Sequence, residues 1–438
     1  SQACTVTLAP NTLSNVWVVQ NSAGDTVTLS QGTGANVVIP NGGIRMIATD
    51  GGGSGAAVTD VLDVLGGTGN VGLGSGAFGT GLTTGTDNVA IGENAGDALT
   101  TGSDNTFVGD EAGGATTTGS NNVAIGSGAA DANTTGAQNT AVGEGSLTTN
   151  STGSHNTALG RSALYNATTA DYNTAVGSGA MYAATTGTQN VAVGRDALND
   201  ITTGSYSVAV GYQALDAQTT ATNNTAVGWE AGSATTTGAS NTFIGQNSGA
   251  SNTTASFNTA VGALSFDANS TGASNTAVGY LALSANTTAG NNVAVGTNAL
   301  QSNTTGSENT AVGTEALYSN TTAANNTALG YYALRTNSTG ANNVAVGFGA
   351  LDANTTADNN TAVGYSALSA NTTGTNNTAV GKQAGTSITT GNTNTAVGKG
   401  ALQSNSTNSA NTAVGNDALT NNTAANNTAV GKDALLSN

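Results

Sequence analysis

Three aromatic residues spaced seventeen apart, Tyr331, Phe348 and Tyr365, are the first candidates for chemistry in this chain. Flat rings at constant spacing could offer a platform on which the sugar rings of a glycan stack, with nearby Asn and Thr supplying hydrogen bonds. Tyr212, Trp229 and Tyr280 hold the same place in the spacing, and Tyr165 and Tyr182 form a similar pair elsewhere in it. The competing expectation is structural: a ladder of rings that stabilises a sheet and covers its core. Other chemistry is thinly provided. His155, the single histidine, reads as a solvated loop residue. Carboxylates are scattered (Asp110 with Glu111, Asp196, Glu230, Glu315), whereas a glycan-cleaving enzyme needs two at one place. No phosphate loop, zinc cluster or Ser-His-Asp order appears, so the chain reads as a non-enzyme without cofactor or metal.

The elements that position these residues follow from an internal period. The phrase NNTAVGYSAL (359–368) recurs with small edits as NNVAVGTNAL (291–300), ENTAVGTEAL (308–317), NNTALGYYAL (325–334) and NNVAVGFGAL (342–351). The Gly closing each phrase marks 22 repeats from Gly74 to Gly431, with steps of 18 once, 17 nineteen times and 16 once. Numbering the unit so that this Gly is position 6 gives x-N-T-A-V-G-x-x-A-L-x-x-N-T-T-G-x. Position 2 is Asn in 21 of the 22 units, Ser207 being the exception.

Val, Thr, Asn and Gly are poor helix formers, and the N-T-T-G break recurs too soon for a helical hairpin. Short alternating N-T-A-V runs predict strands. Within 359–375, Thr361 to Val363 reads as one strand, Gly364 as a bend, Ser366 to Ser369 as a second strand, and Asn371 to Gly374 as the turn back. Each unit is then one coil of a parallel β-solenoid or β-roll, 22 coils tall and, at ~4.8 Å per rung, on the order of 105 Å long. The expected core runs through Val363 and Leu368 and their counterparts. Asn309, Asn326, Asn343, Asn360 and Asn377 are expected to stack as a hydrogen-bonded ladder. The N-T-T sequons formally allow glycan acceptors, but arise automatically in such a repeat.

Composition agrees with a stack of thin coils. Of 438 residues, 63 are Gly and 2 are Pro; charged residues are 7% and aromatics 4%, too few for a large conventional core. The net charge of −17 disfavours nucleic acid and anionic membrane surfaces. No apolar run approaches the ~20 residues of a membrane span. Cys4 stands alone, which excludes an intrachain disulfide framework, and is expected to be buried in the first strand.

Residues 1–65 lack the period. TVTL, NVWVVQ, TVTLS, NVVIP and RMIAT alternate between turn signals and predict a small antiparallel β domain. AAVTDVLDVL (56–65) has near-helical apolar spacing and is expected as one short helix. The repeat rod then occupies 66–438, joined through GGTGN (66–70).

The repeats resemble the heads of trimeric autotransporter adhesins, whose shorter units also carry an N-x-A-[VI]-G strand in parallel β-rolls. The stretch VTLSQGTGANVVIPNGGIRMIATDGGGSGAAVTDVLDVL (27–65) and the long run of N-T-A-[VL]-G that follows resemble tail-fibre proteins of marine tailed phages. The resemblance implies a homotrimeric fibre on a virion, used for host attachment, with a host-surface glycan or protein as partner. Three stacks sharing their Ala face would bury it, and Phe107 and Phe243, where Ala is usual, are then expected as apolar plugs on the trimer axis; the alternative is that they fill one chain's own coil. Solenoid ends need caps, so more chain or another fibre or tail protein is expected at the stretch NDALTNNTAANNTAVGKDALLSN. A bacterial surface adhesin and an extracellular filament subunit fit the same rod. An ice-binding face would need unbroken Thr, which Val293 and Val344 interrupt.

Overall fold

A computed structural model describes every residue except 1–3, 11, 13, 40, 42–43, 65–68 and 438, and the backbone alone over 59–64. The chain forms two compact units, residues 1–206 and 207–438.

The first unit opens with six strands: β1 (Cys4–Thr7), β2 (Val16–Gln20), β3 (Val27–Ser30), β4 (Val37–Ile39), β5 (Ile44–Thr49) and β6 (Val58–Val64). β3 pairs antiparallel with β4, and β5 pairs antiparallel with both β2 and β6. β1 runs parallel to β3, the one departure from an antiparallel arrangement among these pairings. Val27, Leu29, Val37, Ile39, Ile47 and Val58 close a small core. The helix expected over 56–65 is replaced by β6, with residue 65 outside the described residues. A helix this short is marginal alone, whereas β5 offers β6 a ready ladder partner. Cys4 is exposed rather than buried, as is all of β1.

From β7 (Val71–Leu73) onward each marker phrase forms one three-residue strand. The first unit holds β7 to β14 (Val191–Val193), and the second holds β15 (Val208–Val210) to β28 (Thr428–Val430). Within each unit neighbouring coils pair in parallel and in register. β24 (Thr361–Val363), for example, meets β25 (Thr378–Val380) as Thr361↔Thr378, Ala362↔Ala379 and Val363↔Val380. The result is a parallel β-solenoid of 17-residue period, as the sequence predicts.

Which face is buried differs from expectation. Ala362, Ala367 and Leu368 are wholly buried, whereas Thr361 and Val363 face outward and are half-exposed. The coil is too thin to take Val on the inner side of the strand, so Ala fills it and Leu arrives from the other half of the coil. The Ala face is therefore each chain's own interior, which removes the argument that three chains share it.

The second strand expected at Ser366–Ser369 is a succession of turns. Ser366 and Leu368 both have φ of +50°, outside the β region. Their N–H groups still serve the stack: Ser366 donates up the column to the Phe348 carbonyl at 2.9 Å, and Leu368 the other way to the Ala384 carbonyl at 3.0 Å. A left-handed Leu costs about 1–2 kcal/mol. Full burial of its side chain contributes about 1.5–3 kcal/mol and carries the balance.

The Asn columns run through the interior. Asn309, Asn326, Asn343, Asn360 and Asn377 are buried, and each Oδ1 accepts the backbone N–H of the Asn one coil on; Asn377 donates to Asn360 at 2.9 Å. Each Nδ2 crosses the coil to a carbonyl at position 16, as Asn360 does to Gly374 at 2.9 Å. A second column at position 13 joins amide to amide: Asn371 donates to Asn354 at 2.9 Å, and Asn354 to Asn337 at 2.7 Å. Burial of this second column closes its N-T-T sequons to a glycan. Where position 2 shortens to Ser207, position 13 lengthens to Gln218, whose amide reaches the Ser207 hydroxyl at 3.0 Å.

Phe107 and Phe243 are not axis plugs. Both rings are fully buried in the chain's own interior. Room comes from Gly at position 10, where Leu is usual: a Cβ on Gly113 would stand 2.5 Å from the Phe107 ring, one on Gly96 2.7 Å, and one on Gly232 2.6 Å from Phe243. Phe107→Ala should therefore lower stability by ~3–5 kcal/mol by opening a cavity. Adding Gly113→Leu to that variant should recover much of the loss, because Leu holds this position in most coils. Thermal melting of the single and double variants checks it, and a double variant no better than the single one would contradict the packing.

Candidate functional site

The aromatic residues at position 7 follow the marker Gly, so the bend after each strand presents them at one edge of the column. Tyr331, Phe348 and Tyr365 are 41%, 48% and 50% exposed. Their rings stack at 5.4 Å with interplanar angles of 13° and 10°. Lys382 lies 5.7 Å from the Tyr365 centroid at one end. At the other, Tyr332 meets Tyr331 at 3.8 Å, and Arg335 sits 4.5 Å over Tyr332 while pairing with Glu315 at 2.9 Å. The hydrogen bond with Tyr332, helped by burial, pushes the Tyr331 phenol above its usual range. The ladder thus uses its ring faces on itself and offers solvent mostly ring edges.

The remaining position-7 rings are not part of that ladder. Trp229 and Tyr280 are exposed and have no stacked ring partner among the described residues. Their faces are the ones a sugar could cover; Tyr212, beside Trp229 in the column, has an interaction of its own. In the first unit Tyr165 and Tyr182 stack at 5.2 Å.

A further aromatic column escaped the sequence reading. His155 and Tyr172 stack at 4.6 Å and 5°, and Tyr206 holds the same unit position 1, exposed. In the second unit Phe257 also stands at position 1 and is 67% exposed. These residues have φ near +60°, which also explains the many Asn at that position, since Asn tolerates the left-handed region. Counting residue types at position 1, beside position 7, was the available signal. A cleft of about 540 Å³ was also missed; Arg161, Ser178, Tyr182, Arg195, Asp196 and Asn199 line it, with Arg195 paired to Asp196 at 3.1 Å.

Asp131, Asp267 and Asp352 share position 11. Burial pushes each carboxyl above its ordinary value. At Asp131 the charge of Asp97 adds to the effect, the two carboxylates flanking the space beside Gly114. At Asp352 Arg335 pulls the other way. A carboxyl raised in the fold binds its proton more tightly there, so stability should rise as pH falls through the raised value and level off below the ordinary 3.8. Asp50, held down by the Gly52 and Ala57 N–H groups, works in the opposite direction. Melting followed by circular dichroism should show the midpoint rising from pH 7 toward pH ~4. The triple variant Asp131→Asn, Asp267→Asn, Asp352→Asn should flatten that slope; an unchanged slope would exclude these carboxyls as its source.

Among the described residues, no group of three His, Cys, Asp or Glu is placed to hold a metal ion, and no helix is long and apolar enough to cross a membrane. No protein-family model, curated protein or solved structure matches the chain.

Proposed function

We propose that this chain is the structural shaft of an extracellular attachment fibre, of the phage tail-fibre kind, which presents a binding end to a host surface. The observation that carries this reading is the doubly laddered coil. Within each unit the strands of neighbouring coils pair in register, and two buried Asn columns tie coil to coil through side chains as well. Such a column resists bending and proteolysis because few backbone groups are left to open. Its partners, on this reading, are further fibre or tail proteins at the ends and a glycan or protein of the host surface, with Trp229 and Tyr280 as the rings open to a sugar. A bacterial surface adhesin would use the same column. Immunogold electron microscopy with antibody against residues 1–65 tests the proposal. Label on virion tails supports it, label on cell envelopes supports the adhesin, and label confined to the cell interior refutes both.

A further inference from the structure

We propose that the outward face of the strand column in the second unit is the surface on which a second copy of this chain packs, so that the shaft is two chains thick. The inference deepens the shaft reading by naming its partner, and rests on that reading for its biological role. The face consists of positions 3 and 5 of each strand. From Val208 to Val430 every residue at these positions is Thr, Val, Ile or Leu, in a chain whose net charge is −17. All fourteen strands, β15 to β28, are three residues long with the middle residue inward. The face is therefore regular and uncharged, although Val227, Ile244, Leu329 and Val380 are 37–48% exposed.

Its area suits a second copy. Fourteen rungs at ~4.8 Å make a stripe roughly 65 Å long, and two columns of side chains make it about 10 Å wide. That is ~650 Å² of one chain, a column of mostly Thr beside a column of Val, Ile and Leu. Two such faces bury about 1,300 Å², within the range of stable protein pairs. Sheets with aliphatic faces pack against each other at about 10 Å. Among the described residues the Thr361 hydroxyl makes no hydrogen bond, unlike that of Thr372, which donates to the Thr389 carbonyl at 3.2 Å. Where Thr meets Thr across the pair, such hydroxyls can satisfy one another. A self-complementary single face closes as a two-fold pair, whereas a closed trimer asks each chain for two different surfaces. The proposal therefore departs from the three chains that the resemblance implies.

Mass photometry and sedimentation velocity of the full chain test it. The expected mass is that of two chains. The triple variant Val346→Lys, Val363→Lys, Val380→Lys should run as one chain with unchanged β circular dichroism, because these side chains point away from the coil interior. The control Thr356→Lys, Thr373→Lys, on an exposed corner, should remain a pair. A one-chain or three-chain mass for the unaltered protein overturns the proposal, as does a folded triple variant that stays paired. A one-chain protein that slows ice growth or sediments with insoluble polysaccharide would assign the face to another occupant and overturn it too. The shaft reading is decided separately by the immunogold images, so either idea can fail without the other.

Discussion

Asn360→Ala should lower the stability of its part of the column by roughly 2–4 kcal/mol, although it removes only one small side chain. The wild-type amide is fully buried and used at both ends: Oδ1 takes the Asn377 N–H at 2.9 Å and Nδ2 meets the Gly374 carbonyl at 2.9 Å. The variant strands the Asn377 N–H where water cannot reach, at about 1–3 kcal/mol, and removes one of the two bonds to the Gly374 carbonyl, which keeps the Asn371 amide at 2.9 Å, at about 0.5–1.5 kcal/mol more. Because coils couple mainly to their neighbours, the damage should be local. Hydrogen exchange should quicken at the Asn377 amide and in the flanking coils, and proteolysis should begin between residues 343 and 394. The comparison is Asn359→Gly. Asn359 is exposed with φ of +59°, a conformation Gly adopts freely, and its replacement should change stability by only a few tenths of a kcal/mol. Equal effects from the two variants would show that the ladder contributes nothing beyond the backbone.

These adjacent asparagines show what a single sequence can reveal. The period, the strand at N-T-A-V and the stacking of position 2 follow from residue types and spacing alone, because parallel in-register pairing forces like to stand on like. The separate reasons for Asn at positions 1 and 2 do not follow. One is a left-handed backbone and the other a buried amide, and both are written with the same letter. The path of the coil's second half was hidden for a related reason. Leu368 holds a φ that Leu rarely adopts, so neither propensity nor alternation points to the turns around it.

Inside and outside were misread where volume, rather than polarity, decides. Val363 is the more apolar residue and Ala362 the smaller one, and a thin coil selects the smaller. The same rule places Phe107 inside, but only because Gly96 and Gly113 make room in two coils. That compensation was readable in the sequence, since position 10 turns to Gly in the coil of each such Phe and in the coil before it. The aromatic ladder was legible as a ladder. Its closed ring faces were not, because Lys382 and Tyr332 close its ends only in three dimensions.

Gly364→Ala is the more severe substitution, with an expected loss of roughly 4 kcal/mol or more. The marker Gly has φ of +136°, a region that side chains disfavour well beyond the left-handed helical basin. A Cβ there would stand 2.5 Å from the Gly381 carbonyl oxygen and 2.6 Å from its carbon. Neither can retreat, because the Gly381 N–H is already bonded to the Val363 carbonyl at 2.7 Å, so the clash falls on the ladder itself. Gly347 meets Gly364 in the same way, which is why the marker is glycine in every coil. Gly349 separates conformation from collision. Its φ is +59°, a Cβ there would meet only the Ser366 hydroxyl at 3.9 Å, and Asn298 adopts nearly the same φ at the equivalent place. Gly349→Asn should be neutral within about 0.5 kcal/mol. Thermal melting and protease mapping of the two variants should therefore diverge sharply, with cleavage near 364 in the first alone. If Gly364→Ala melted like the wild type, adjacent coils could not be as close at the bend as 2.5 Å implies, and the stacking that sets the period would need another origin.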